Sequence, residues 1–398
     1  MVSEMALGRG GESDAVGAFR RITPGKHAWK YVGILAVLSS YFILSFYMVV
    51  SGWTFEYLIN SITGDLYSST SVQPGSEAAF AERMGSYISG TWRPISMTLV
   101  MIVANLLVLL KGVQGGIEKM SNIMMPLLFV LLLMFCVVSL SLPGASAGLE
   151  FFLSPDLSRL TPRVIIDALG QSFFSLSLVM GITVTYASYY PSSTRLGRTA
   201  FTVAMLDLLV ALLMGVIIFP AVMTFGLGDA DLAGSSLVFV TLPEIFAQMG
   251  ATRLWSSLFF LLLTVAAFTS TVSLAEVSVA LTQRRFNMSR RGACLAVILP
   301  LLVLSPICSL SVGPWSGYKF FGMTFFDFLD NLTTNFMLPI GGILLCVYVG
   351  WVAPKSFFER QLTNGGTLHS GFLGIIHFIV KWIAPILMTV ILLGGLAD

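Results

Sequence analysis

Between Gly170 and Tyr189 the chain reads GQSFFSLSLVMGITVTYASY, with no charge but with four serines, two threonines, a glutamine and two glycines. Ser175 and Ser177 bracket the middle of this stretch, and Met180 and Gly181 lie just beyond. If a helix breaks here, freed carbonyls and hydroxyls face a cavity, and the half-helix ends aim their dipoles at a bound ion or zwitterion. The alternative is that Ser and Gly let two helices pack closely, and composition alone does not choose between them.

Two further sets of residues could do similar chemistry. In AAFTSTVSLAE (266–276), Ala266, Thr269, Ser270 and Ser273 share one helix face by their i, i+3, i+4, i+7 spacing. Two hydroxyls and a backbone carbonyl suit part of a Na⁺ shell, since hard cations take neutral oxygen ligands. Interhelical hydrogen bonding by Thr and Ser is the competing use. Asp207 stands in TVAMLDLLVALL. A carboxylate at membrane depth costs about 2.5–3.5 kcal/mol on insertion scales, so it should face a cation, a proton path or a partner. Glu276 lies nearer the end of its helix, where loop arginines can pair with it. Asp327 is equally suited to a gate or to an ordinary solvated helix end.

Those residues matter because of the elements that carry them. The chain is 56% hydrophobic and 11% charged, with a mean hydropathy of +0.87. A soluble domain carries about a quarter charged residues. Apolar runs of roughly 20 residues, enough for a hydrocarbon core of about 30 Å, recur throughout. They predict nine spans: 31–59, 95–110, 121–142, 165–187, 199–226, 254–283, 293–312, 322–352 and 369–395. The eighth is long and holds Asp327, Asp330 and Pro339, so it should bend. With the N-terminus cytoplasmic, the inside loops hold 15 Lys/Arg and the outside loops six, leaving Lys381 in the last span. By the positive-inside rule this bias puts the C-terminus outside a plasma membrane crossed nine times. Two loops assigned to the outside are long, 60–94 and 227–253, and the second should fold back over a vestibule through LVFVTLPEIF.

Several classes of function are disfavoured. The net charge of +2 gives no reason to expect a nucleic-acid partner. Cys136, Cys294, Cys308 and Cys346 lie in apolar runs without metal spacing and read as small buried hydrophobes. Three histidines, and no nucleophile–His–acid set, argue against an enzyme. The polar, basic first 30 residues do not read as a cleavable signal peptide.

Together, MALGRGG (5–11), SFYMVVSGWT (45–54), GQSFFSLSLVMG (170–181), LVFVTLPEIF (237–246), FTSTVSLAE (268–276) and FFDFLD (325–330) resemble segments of the neurotransmitter:sodium symporter family. The likeness is greatest to its bacterial amino-acid transporters and runs in order along nearly the whole chain. It implies an all-α integral membrane protein with the LeuT-like inverted-repeat fold, and a broken helix at mid-membrane. In that register the spans match helices three to eleven of one transmembrane domain. Residues 1–30 become a cytoplasmic loop or N-terminus, 31–142 the rest of the first repeat, 165–352 the second repeat and 369–395 a final helix. The family's first helix and most of its second have no counterpart, so the resemblance implies an N-terminally truncated chain.

The resemblance also assigns roles. Tyr47 would hydrogen-bond the substrate carboxylate, and Ile43, Phe174, Ser175, Ser177, Met180, Ser270 and Leu274 would complete the substrate pocket. That lining is mostly apolar, which suits a neutral hydrophobic or aromatic amino acid. Ser175 and Asp207 would serve a first sodium site; the Ala266 carbonyl, Thr269 and Ser270 would serve a second. Asp327 matches an acidic outer-gate residue, and Gln171 lies beside it. The family usually has Asn at position 207, near the chloride site of its chloride-dependent members. A fixed carboxylate there could replace the anion's charge. The implied activity is Na⁺-coupled amino-acid symport by alternating access, with sodium as the co-transported ion and no organic cofactor. The other reading is a non-transporting remnant that binds only a ligand or partner. The bilayer surrounds the protein in either case, and a homodimer is compatible with both.

Overall fold

The computed structural model of the protein describes residues 1–68, 77–154, 156–226, 234–368 and 373–397. These residues are helical apart from turns and an isolated bridge between Phe320 and Met323. Two short helices, α1 (Val2–Gly11) and α2 (Gly17–Ile22), precede the long α3 (Lys30–Thr63). Then come α4 (Glu77–Ser89), α5 (Trp92–Leu110), α6 (Lys119–Leu140) and α7 (Ala145–Leu153). The stretch predicted as one span over 165–187 is two helices, α8 (Pro162–Ser175) and α9 (Ile182–Ala187). Next are α10 (Leu196–Phe225), α11 (Leu242–Gln248), α12 (Thr252–Arg285) and α13 (Arg290–Val312). The composite α14 (Phe325–Val352), α15 (Lys355–Leu362) and the composite α16 (Leu373–Gly395) complete the chain.

Eight described helices are long and apolar enough to cross a membrane, and the broken α8–α9 pair supplies the remaining predicted crossing. Local signals place several ends. Thr161 accepts from the Val164 N–H with Pro162 in the first turn, and Ser289 accepts from the Gly292 N–H, so α8 and α13 begin on side-chain caps. Gly64 and Gly226 stop α3 and α10 in the left-handed conformation. The long α14 accommodates its length through π-helical turns at Leu332–Met337 and Tyr348–Val352. Pro339 sits early in the α-helical turn that follows the first of these, where its missing N–H costs little. The predicted loop helix over the vestibule is seen as a π-helical turn (Leu237–Thr241) leading into α11. Residues 69–76 and 227–233 of the two long loops, and 369–372 of the last predicted span, lie outside the described residues.

The centre of the protein is the pair α3 and α12, which pack along each other more extensively than any other two helices. About 67% and 61% of their apolar windows are buried, against 28% for α6 and α10 and 11% for α16. The first two are therefore interior and the others present leucine, isoleucine and phenylalanine outward, as a lipid-facing helix must. Without water to drive burial, small and hydroxyl side chains hold the interior helices together. Ser40 Oγ donates to the Leu274 carbonyl at 3.0 Å, Asn105 Nδ2 to Thr271 Oγ1 at 3.1 Å, and Tyr41 to the Val297 carbonyl at 2.9 Å. All four cysteines are free thiols, three of them buried.

At the end of the bundle rich in arginine, α1 is fixed against α9. A Cβ on Gly8 would stand 2.1 Å from the Val184 carbonyl oxygen, so only glycine permits that approach. Arg9, buried, donates to the Thr194 carbonyl at 2.6 Å and to Gln361 Oε1 at 2.8 Å, tying α1 to the loop before α10 and to α15. Glu276, fully buried, takes a two-pronged ion pair from Arg290 at 2.9 and 2.5 Å, the loop-arginine pairing its position suggests.

Candidate substrate and ion site

The interruption between α8 and α9 is built from backbone geometry. Ser177, Val179 and Gly181 all have positive φ, at 50°, 65° and 73°. Three left-handed residues in five cannot continue a helix, because each turns the chain out of the i→i−4 ladder. In non-glycine residues that conformation is strained, and strain of this kind persists only where the surroundings hold it. Here they do. The Val179 N–H donates to Glu4 Oε1 at 2.9 Å, and Gly341 of α14 leaves room for the Val179 side chain. At Gly181 a Cβ would meet Val277 Cγ1 at 3.1 Å in addition to the strained φ.

The break opens onto a cavity of about 330 Å³ between α3, α6, α8, α9 and α12. Ile43 and Tyr47 reach it from α3, Phe174 and Ser175 from the end of α8, Ser177 and Met180 from the break, and Thr269, Ser270 and Leu274 from α12. Thus every residue that the resemblance assigns to the substrate pocket lines one space. Ser121, Met125, Ile182 and Ser273 also line it. Sequence reading misses Ser121 and Met125 because nothing in KMSNIMMP distinguishes a cavity-facing side chain from a lipid-facing one. Ser273 lies on the face counted from Ala266. Glu4 is missed outright; its signal is a carboxylate in a short, glycine-rich helix whose residues are nearly all buried.

Oxygen-bearing groups flank the cavity in two places. Ser175 Oγ donates to Asp207 Oδ1 of α10 at 2.6 Å, which gives that carboxylate a partner across two helices. On α12, Thr269 Oγ1 and Ser270 Oγ both donate to the Ala266 carbonyl, at 2.9 and 3.1 Å, so the three oxygens form one cluster. Ser270 also faces the Tyr47 hydroxyl. Asp207 and Ala266 stand behind the cavity wall rather than in it. Gln171 and Asp327 are not part of the lining. Asp327 is exposed in the first turn of α14, where its N–H is capped by Thr324 Oγ1 at 3.1 Å and its carboxylate accepts from that hydroxyl at 2.7 Å.

A broken helix inside a bundle, with its polar ends at a shared cavity, defines the class: a multi-pass secondary transporter. The family model described as "Sodium:neurotransmitter symporter family" matches residues 82–398. The "uncharacterized sodium-dependent transporter YhdH" of Bacillus subtilis is 33% identical over 394 residues, covering 99% of this chain and 85% of that protein. An "uncharacterized sodium-dependent transporter" of Haemophilus influenzae is 33% identical over 370 residues, or 92% of this chain and 79% of that protein. Among solved structures, that of MhsT in complex with L-phenylalanine aligns with a TM-score of 0.88 at 37% identity, over 99% of this chain and 87% of that one. The chain belongs to the sodium:neurotransmitter symporter family. It is a membrane transporter with the LeuT-like fold, and not an enzyme.

Proposed function

We propose that the protein couples inward sodium movement to symport of a neutral hydrophobic or aromatic amino acid across the plasma membrane, by alternating access about the α8–α9 break. The observation that carries this reading is the gathering of Tyr47, Phe174, Ser177 and Leu274 at one cavity beside the break. Tyr47 is the polar group for a substrate carboxylate, and the apolar lining takes the side chain. The Ser175–Asp207 pair and the Ala266–Thr269–Ser270 cluster supply oxygens to two sodium ions, which are cargo as much as ligands. Residues 31–142 and 165–352 are the two repeats that move against one another. The arginine-rich end faces the cytoplasm with residue 1, and the C-terminus lies outside. Asp327 and Gln171 act at the outer gate. The relation to the phenylalanine complex of MhsT supports the aromatic end of the substrate range.

The test is uptake into proteoliposomes under an inward sodium gradient, with phenylalanine and leucine set against aspartate and lysine. Sodium-driven accumulation of the first pair, weakened by Tyr47→Phe, is expected. Uptake indifferent to sodium, or preference for the charged pair, would overturn the reading.

A further inference from the structure

Lys381 places a full charge on α16, the helix that turns most of its surface outward, with 11% of its apolar window buried. An ammonium in hydrocarbon is costly, so such a lysine runs its stem to the headgroup level and meets an anion there. The neighbouring helix marks that level. The last turn of α14 ends at Val352, and the charged α15 begins at Lys355. A Cβ on Gly350 would stand 3.0 Å from Lys381 Cα, so α14 and α16 touch at this height.

The surroundings of Lys381 are built to hold it. Its Nζ lies 5.5 Å from the ring centroid of Trp351 and 5.6 Å from that of Trp382, and the two rings meet edge to face at 5.2 Å. Both indoles are exposed. Each helix turns π-helical at this contact, over Tyr348–Val352 and Ile379–Ile383, and such turns are rare and frequent at functional sites. Ring faces attract the ammonium but offer no oxygen to its three N–H donors. Between Asn331 and Ala397 the sequence has one acidic residue, Glu359, against Lys355, Arg360 and Lys381. Glu359 pairs with Lys355 at 3.9 Å, and among the described residues no carboxylate lies within ion-pair distance of Lys381.

The missing partner is an oxyanion at the headgroup level. Free phosphate arrives hydrated and gains nothing from two exposed indoles. A phospholipid phosphate brings a glycerol ester and acyl chains that lie against them, as at an aromatic belt. The local excess of basic residues favours a headgroup with net negative charge over a zwitterionic one.

We propose that Lys381, between Trp351 and Trp382, is a binding site for the phosphate of an anionic phospholipid, which bridges α14 and α16. On the proposed orientation this lipid belongs to the cytoplasmic leaflet.

The test uses the full chain, purified in a non-ionic detergent and stripped of lipid, with brominated phosphatidylglycerol and brominated phosphatidylcholine as quenchers of tryptophan fluorescence. Quenching by the glycerol lipid should be saturable and reach its midpoint at a concentration about fivefold lower than the choline lipid, the share of one basic side chain at a charged surface. Lys381→Met, which keeps the apolar stem, should abolish this preference, and Lys381→Arg should keep it. The double variant Trp351→Phe with Trp382→Phe should lose the saturable quenching while its thermal melt, followed on the buried cysteines, stays in place. Inorganic phosphate at millimolar concentration should not compete. Equal midpoints for the two lipids in the unmodified protein, a preference that survives in Lys381→Met, or displacement of the lipid by inorganic phosphate would each overturn the proposal.

Discussion

Replacing Asp207 by Asn removes a charge while leaving the local geometry in place. The amide oxygen introduced by Asp207→Asn still accepts the Ser175 hydroxyl that now bonds Asp207 Oδ1 at 2.6 Å, so the change is electrostatic first. A unit charge 4 Å from a cation is worth about 4 kcal/mol at an effective dielectric constant near 20. Asp207 is half-buried, and solvent screening reduces this to about 1–2 kcal/mol. Sodium should therefore be held about 5- to 30-fold more weakly, by the rule of about 1.4 kcal/mol per decade. If the carboxylate stands in for an anion, chloride should restore part of the loss in the variant and have no effect on the unmodified protein. The assay is the sodium concentration for half-maximal uptake, with chloride exchanged for gluconate. Chloride dependence in the unmodified protein, or an unchanged sodium requirement in Asp207→Asn, would refute the assignment of Asp207 to the ion site.

Gly181→Ala places a Cβ on a left-handed residue 3.1 Å from Val277, and should cost about 1–2 kcal/mol, read as a lower melting temperature and weaker substrate binding. Glu276→Gln leaves the Arg290 charge half-buried without its carboxylate and should destabilise the protein by about 3–5 kcal/mol; combining Glu276→Gln with Arg290→Gln should recover part of this in a thermal melt. Maleimide should label Cys346 before Cys136, Cys294 and Cys308 in the folded protein, and all four at similar rates once it is unfolded, as followed by peptide mass analysis.

Much of the architecture was legible in the sequence because the bilayer imposes a strong pattern. Apolar runs separated by basic loops marked the crossings to within a few residues, as for α12, expected over 254–283 and found over Thr252–Arg285. The break in 165–187 was also legible as a candidate, since hydroxyls and Gly181 interrupt an otherwise apolar run. The composition of that stretch left helix packing open as an alternative. Tertiary structure decided it, because the left-handed residues depend on Glu4, 175 positions away, holding the Val179 N–H. The same distinction separates the hydroxyls. Ser40 and Thr271 bond a neighbouring helix, while Ser177 and Ser270 face a cavity, and no local signal distinguishes the two. Whether a side chain meets another helix, lipid or an open space is set by the packing of elements distant in the chain. The sequence therefore determined which segments cross and which residues carry polar chemistry. Only the fold decided which of those residues share a cavity, because that depends on how α3, α8, α9 and α12 are brought together.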